Sequence, residues 1–248
     1  MTVTIRDRAI DAAVLDTDGV VTDTASVHFG AWKDVFDEAL EAWADGTEIT
    51  PFSRAEYLRH VDGVGRYDGV ARWLASRGLD LPYGDPEDPP GRATVCALGN
   101  TKNDRFLERL RRDGAPRYEG TVALLRWLAD ADVARAVISA SRNAAEVLAA
   151  AEVDHLFSVR VDGVEAARLG LAGKPAPDVF RLAAERLGVA PDRTMVVEDA
   201  LQGVEAARRG GFGLVVGVDR AEQRDDLLAA GADVVVDDLA ELLPTEAP

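Results

Sequence analysis

Asp16 and Asp18 close a short apolar run, AAVL over 12–15, and Gly19 follows them at once. Two carboxylates this close repel each other and want a cation beside them. If 12–15 is a strand, residues i and i+2 project to the same side, and glycine then allows a tight turn. Glu198 and Asp199 close a second apolar run, TMVV. Asp16, Asp18 and Asp199 together offer hard oxygen ligands of the kind Mg²⁺ prefers, with room left for water and a phosphate oxygen. Taken singly, D-x-D-G is also an ordinary Asx turn, and Glu198–Asp199 an ordinary helix start.

Ser139 ends a third run, VARAVI, and precedes Ala140 and Ser141. A serine there caps a helix, binds a phosphate at the helix start, or does both. Lys174 lies in the loop GKPAPD. Loop lysines are commonly solvated charges, but this chain has only three, Lys33, Lys102 and Lys174, and leaves its surface to arginine.

The elements that must position these groups alternate. Helical patterns over 121–131, after Asn143, over 178–187 and over 201–209 each lead into an apolar run. Those runs are 133–139, 156–161, 194–199 and 213–218, and a last one, VVV, covers 234–236. Alternation of this kind means right-handed βαβ units and a parallel sheet. In such sheets ligands bind at the carboxyl ends of the strands. Acids, a hydroxyl and a lysine from four separate segments are therefore expected at one edge. Between about 27 and 115 nothing reads as a strand. Phe29, Trp32, Val35, Phe36, Ala39, Leu40 and Trp43 recur at helical spacing as core packing. Further helices are expected near 54–60, 67–77 and 100–112. The Pro- and Gly-rich 81–91 is expected to be a solvated loop. The fold class is thus α/β: a Rossmann-like parallel-sheet core over 1–26 and 117–248, with an all-helical cap inserted over 27–116. The end, 244–248, is expected to fray.

The net charge of −16 makes nucleic acid and anionic membrane surfaces poor partners. A local cluster of cations and a metal still permits a phosphorylated substrate. The single cysteine, Cys96, excludes an internal disulfide and fits a cytoplasmic protein. The charged opening residues read as no signal peptide, and no run approaches the ~20 apolar residues of a membrane helix. A monomer is the default expectation.

The ordered set D-x-D-G-V, S-A-S, G-K-P-x-P and E-D resembles the haloacid dehalogenase superfamily of phosphotransferases, and within it the β-phosphoglucomutase subfamily. DTDGVVTDTASVHFGAWK from Asp16 is similar to that subfamily's first motif, with Thr24 and His28. VDGVGR, holding Gly63, Val64 and Arg66, resembles the cap's substrate loop. TKND, holding Lys102, resembles a second cap segment, and SASRN (Ser139, Ala140, Ser141, Arg142, Asn143) a core substrate loop. The resemblance implies a nucleophilic Asp16 that becomes an aspartyl phosphate and an Asp18 acting as general acid and base. It implies Lys174, Ser139 and Mg²⁺ neutralising the transferred group, with metal ligands among Asp16, Asp18, Glu198 and Asp199. A cap that closes over the site would shield the phospho-enzyme from water, and Arg66 and Lys102 would hold a second phosphate. His28 would touch the sugar or relay the proton state of Asp18.

Two departures, a loop over 81–97 longer than the family needs and Asp62 where lysine is common, bear on sugar choice. The implied reaction interconverts β-glucose 1-phosphate and glucose 6-phosphate through a bisphosphate. The rivals are a phosphatase of the same superfamily acting on a small sugar or polyol phosphate, and a non-catalytic phosphosugar-binding protein.

Overall fold

A computed structural model describes residues 1–44, 49–62 and 64–244. The tail from Thr245, expected to fray, lies outside the described residues. The chain divides into two compact units. One is Ala25–Gly114; the other is Met1–Thr24 together with the chain from Ala115.

The described part of the first unit is built from helices: α1 (Ala25–Trp43), α2 (Arg54–Glu56), running on through a π turn at Tyr57–Val61, α3 (Arg66–Ser76) and α4 (Val95–Asp113). The aromatic stripe of α1 is its core. Trp32 and Phe36 are buried, and Phe36 stacks on Trp73 of α3 with ring centroids 3.6 Å apart. Helix α4 starts earlier than its periodicity suggests, because Thr94 caps it by accepting from Ala97 N at 3.0 Å. The loop before it therefore ends at Thr94 rather than Ala97. Nor is that loop a free excursion: Asn100 Nδ2 donates to the Pro86 and Asp88 carbonyls at 3.0 and 2.8 Å.

The second unit opens with an antiparallel hairpin, β1 (Val3–Ile5) and β2 (Arg8–Ile10), ahead of the first sheet strand. The sheet strands are β3 (Ala12–Asp16), β4 (Ala134–Ile138), β5 (Val159–Val161), β6 (Thr194–Glu198), β7 (Leu214–Val218) and β8 (Val234–Val236). They lie in the order β5-β4-β3-β6-β7-β8, all parallel. Helices α5 (Glu119–Asp130), α6 (Ala144–Ala150), α7 (Gly163–Leu169), α8 (Asp178–Leu187), α9 (Leu201–Gly210) and α10 (Arg224–Ala230) complete the unit. Every residue of β3 is buried, as a central parallel strand covered on both faces requires. Side chains alternate between the two faces. Ala13, Leu15, Val137, Met195 and Val197 join one core, and Val14, Ala136, Ile138, Val196 and Val215 the other. The chain runs from β3 to β4 and β5 on one side, then returns to β6, β7 and β8 on the other. The switch point is β3, and its carboxyl end is where an open α/β sheet binds ligands. Among the described residues no helix is long and apolar enough to cross a membrane.

Candidate active site

Strand register brings the chemistry together. Asp16 pairs with Ile138 of β4, so Ser139 follows at the same edge; Leu15 pairs with Val197 of β6, so Glu198 stands level with Asp16. After Asp16 the chain turns at once. Val21 N and Thr22 N both donate to the Thr17 carbonyl, at 2.8 and 2.9 Å, and Gly19 N donates to the Thr22 carbonyl at 2.8 Å. Thr17 Oγ1 donates to the Ile138 carbonyl at 2.7 Å and ties this turn to β4. Gly19 has φ of +82°, and a methyl group there would fall on the Asp199 carboxylate. Glycine is therefore needed both for the backbone angle and for the close approach of the two acid-bearing loops.

Lys174 Nζ lies 2.5 Å from Asp16 Oδ1 and also bonds Glu198 Oε1. Glu198 is fully buried, and its second oxygen accepts from Asp199 N at 2.6 Å and Ala200 N at 2.8 Å. Any side chain at Gly203 would collide with it. Carboxylate oxygens of Asp16, Glu198 and Asp199 all lie within 4.8 Å of one another.

Burial raises the Asp16 carboxyl to about 7, with the Lys174 ammonium opposing and Glu198 assisting. Burial raises Asp199 too, to about 8, helped by Glu198 and Asp16. Burial works against the Lys174 ammonium, but Asp16 and Glu198 outweigh it and raise its pKa. Three crowded acids thus share one ammonium, and the site is short of positive charge. A small hard divalent cation fits this oxygen set.

A linked pH effect follows. The unfolded carboxyls release their protons near 3.8, but the folded Asp16 and Asp199 hold theirs to about 7 and 8. Without metal, folding stability should therefore fall as pH rises between about 4 and 8. Mg²⁺ competes with those protons, so it should raise the thermal midpoint more at pH 8 than at pH 5. Scanning calorimetry with Mg²⁺ or a chelator measures this; equal shifts at the two pH values would contradict it.

Asp18 is the fourth residue expected among the metal ligands. It is not part of the group of three acids, and its carboxylate accepts the Thr24 hydroxyl. β3 ends at Asp16, and Asp18 lies past it in a bridge to Thr22. Thr24, expected to touch substrate, is buried, and its hydroxyl holds Asp18. Ser139 is buried but does not cap α6: its Oγ accepts from Ser141 N at 3.1 Å and braces the loop. Ser141 Oγ in turn accepts from Asn143 N at 3.1 Å, and Asn143 is the residue that starts α6. Ala140 and Arg142 in the same loop are exposed.

The remaining expected residues belong to the helical unit. His28 Nδ1 lies 2.7 Å from Lys102 Nζ, and its ring stacks on Phe106 at 4.2 Å. Burial, then Lys102 and Arg66, hold His28 well below its usual range, so it is neutral and adds no positive charge. An ammonium bonded to Nδ1 leaves the ring proton on Nε2. Lys102 is itself buried, 5.0 Å from the Trp32 ring and 4.8 Å from Phe106. Arg66 donates to Asn103 Oδ1 at 2.7 Å. Val64 is half-buried beside the turn that closes on Val61, and Gly63 lies outside the described residues. Arg220 and Gln223, which reach the acid-bearing loops from the segment after β7, carry no motif signal. Their position after a strand's carboxyl end was the available clue.

The family model for haloacid dehalogenase-like hydrolases matches residues 10–211. The chain belongs to that family. It is 48% identical over 240 residues to proteins of Mycobacterium tuberculosis and Mycobacterium bovis named β-phosphoglucomutase, covering 94% of this chain and 92% of theirs. A Thermotoga maritima structure shares the fold, with a TM-score of 0.74 at 24% identity over 94% of this chain and 97% of its own. CbbY from Rhodobacter sphaeroides, solved in complex with xylulose-(1,5)bisphosphate, is 26% identical with a TM-score of 0.67, covering 94% of this chain and 96% of its own.

Proposed function

We propose that this haloacid dehalogenase family member is a cytoplasmic, monomeric β-phosphoglucomutase that interconverts β-glucose 1-phosphate and glucose 6-phosphate through a phosphorylated Asp16. The observation that carries the reading is the meeting of Asp16, Lys174, Glu198 and Asp199 at the carboxyl end of β3. The 48% identity to the mycobacterial β-phosphoglucomutases over nearly the whole of both chains supports the choice of substrate.

Asp16 attacks phosphorus; the bond from phosphorus to the sugar oxygen breaks, and the phosphoryl group rests on the carboxylate. Asp18, oriented by Thr24, donates a proton to the departing sugar oxygen and later takes one from the incoming hydroxyl. Lys174 offsets negative charge on the transferring oxygens, and Ser139, whose Oγ accepts from Ser141 N, keeps its own hydroxyl hydrogen to donate to them. Bound through Asp16, Glu198 and Asp199, Mg²⁺ would supply further charge neutralisation. Because a bisphosphate intermediate presents each end in turn, a second phosphate needs its own grip. Arg66 and Lys102 of the helical unit are assigned to it, beside a neutral His28 suited to hydrogen-bonding a sugar hydroxyl. A bisphosphate ligand on the similar CbbY is consistent with that assignment.

The test is ³¹P NMR of the enzyme with β-glucose 1-phosphate, a catalytic amount of glucose 1,6-bisphosphate and Mg²⁺. Glucose 6-phosphate should accumulate with only traces of free phosphate. Stoichiometric free phosphate without glucose 6-phosphate would replace the mutase with a phosphatase.

A further inference from the structure

We infer that Arg220 and Gln223, in the loop between β7 and α10, are positioning residues that hold the two acid-bearing loops in register for metal binding. The inference rests on the metal reading of the site given above. Arg220 Nε donates to the Gly19 carbonyl at 2.8 Å, and its guanidinium lies 3.6 Å above the Tyr118 ring. Tyr118 N in turn donates to the Val21 carbonyl at 3.1 Å, so both layers of the stack grip the turn that follows Asp16. Three residues along, Gln223 Nε2 donates to the Asp199 carbonyl at 2.9 Å. One short segment thus binds both loops by backbone carbonyls, at the place where Gly19 and the Asp199 carboxylate pack without space for a methyl group.

The segment is built for this reach. Asp219 Oδ1 accepts from Ala221 N at 3.3 Å and Gln223 N at 2.9 Å, folding the loop over its own carboxylate. Glu222 takes φ of +55°, a left-handed angle that L-residues adopt only under constraint. Arg220 Nη1 is spent on the Asp237 carbonyl at 3.0 Å, while Nη2 is shut off from solvent without an acceptor. Arginine's fixed planar fork is what aims Nε at the Gly19 carbonyl while the same plane stacks on the ring. Metal sites depend strongly on such outer partners, whose loss commonly weakens metal affinity ~10–100-fold.

Titration of the wild-type chain with Mn²⁺, followed by the electron paramagnetic resonance signal of the free ion, reads this without turnover. Gln223→Met removes one hydrogen bond at nearly constant volume, and Arg220→Lys keeps the charge but loses the fork. Each is expected to weaken Mn²⁺ binding about tenfold at a temperature where near-ultraviolet circular dichroism matches wild type. Asp199→Asn is the control and should weaken binding further. Should Arg220→Lys fail to fold, Gln223→Met alone decides. Affinity within twofold of wild type in Gln223→Met overturns the inference, as does weakened binding that accompanies lost tertiary signal. No Mn²⁺ binding by the wild-type chain overturns the metal reading itself, and the positioning role with it.

Discussion

Asp16→Asn is expected to abolish turnover, by at least ~10⁴-fold, in a protein that folds as well as wild type or better. The amide keeps the shape and can still accept from Lys174 through its oxygen. It cannot attack phosphorus, so the route through a covalent enzyme closes, and intact mass spectrometry should find no phosphate on the variant after exposure to the bisphosphate. Stability should move the other way. Asp16 is a buried acid raised to about 7 by burial and by Glu198. Replacing it with a neutral group removes one of three anions that share one ammonium. At pH 8 and without metal, the thermal midpoint should equal or exceed that of wild type, in keeping with sites that sacrifice stability for activity. A variant retaining more than about a hundredth of wild-type turnover would end the covalent mechanism.

The parts of this arrangement legible in the sequence are those set by local pattern. Ala12 to Leu15 read as a covered central strand because both its faces are apolar. Acids, serine and lysine could be assigned to one edge because parallel sheets put strand ends together. What stayed hidden depended on geometry that periodicity does not encode. The orientation of Asp18 could not be read, because β3 ends at Asp16 and the strand rule stops applying there. The β1–β2 hairpin gave no turn signal, since its two turn residues with positive φ are Arg6 and Asp7 rather than the usual Asn-Gly pair. Helix α7 buries none of its residues and shows no apolar stripe, although Asp162 with Glu165 three residues on was a usable capping cue. The loop before α4 looked solvated by composition. It is tied down by Asn100, reaching back to Pro86 and Asp88, and by Thr94 on Asp88, contacts that composition does not encode. Arg220 and Gln223 act on backbone carbonyls, which every residue possesses, so no partner side chain marks them in sequence.

Lys174→Met should be nearly as damaging to activity as the loss of Asp16, and unlike it should also cost stability. Methionine matches the length of the lysine stem and can keep the contact near the Phe180 ring, where Lys174 Nζ lies 5.6 Å from the centroid. What disappears is the ammonium between Asp16 and a Glu198 with no exposure at all. Removing one partner of a buried ion pair leaves an uncompensated charge and typically costs ~3–5 kcal/mol. Here Asp16 has an escape, because it can hold a proton instead. The Lys174 ammonium opposes burial at Asp16; without it the folded Asp16 carboxyl keeps its proton to still higher pH, while the unfolded one does not change. The folded state then gives up more stability as pH rises. At pH 5 the variant should unfold close to wild type; at pH 8 without metal it should be destabilised by several kcal/mol, and Mg²⁺ should recover part of the loss. Chemical denaturation at the two pH values, with and without Mg²⁺, measures all three. A deficit that is the same at pH 5 and pH 8 would mean that Lys174 acts through packing rather than charge, and its place opposite the transferring phosphoryl group would have to be given up.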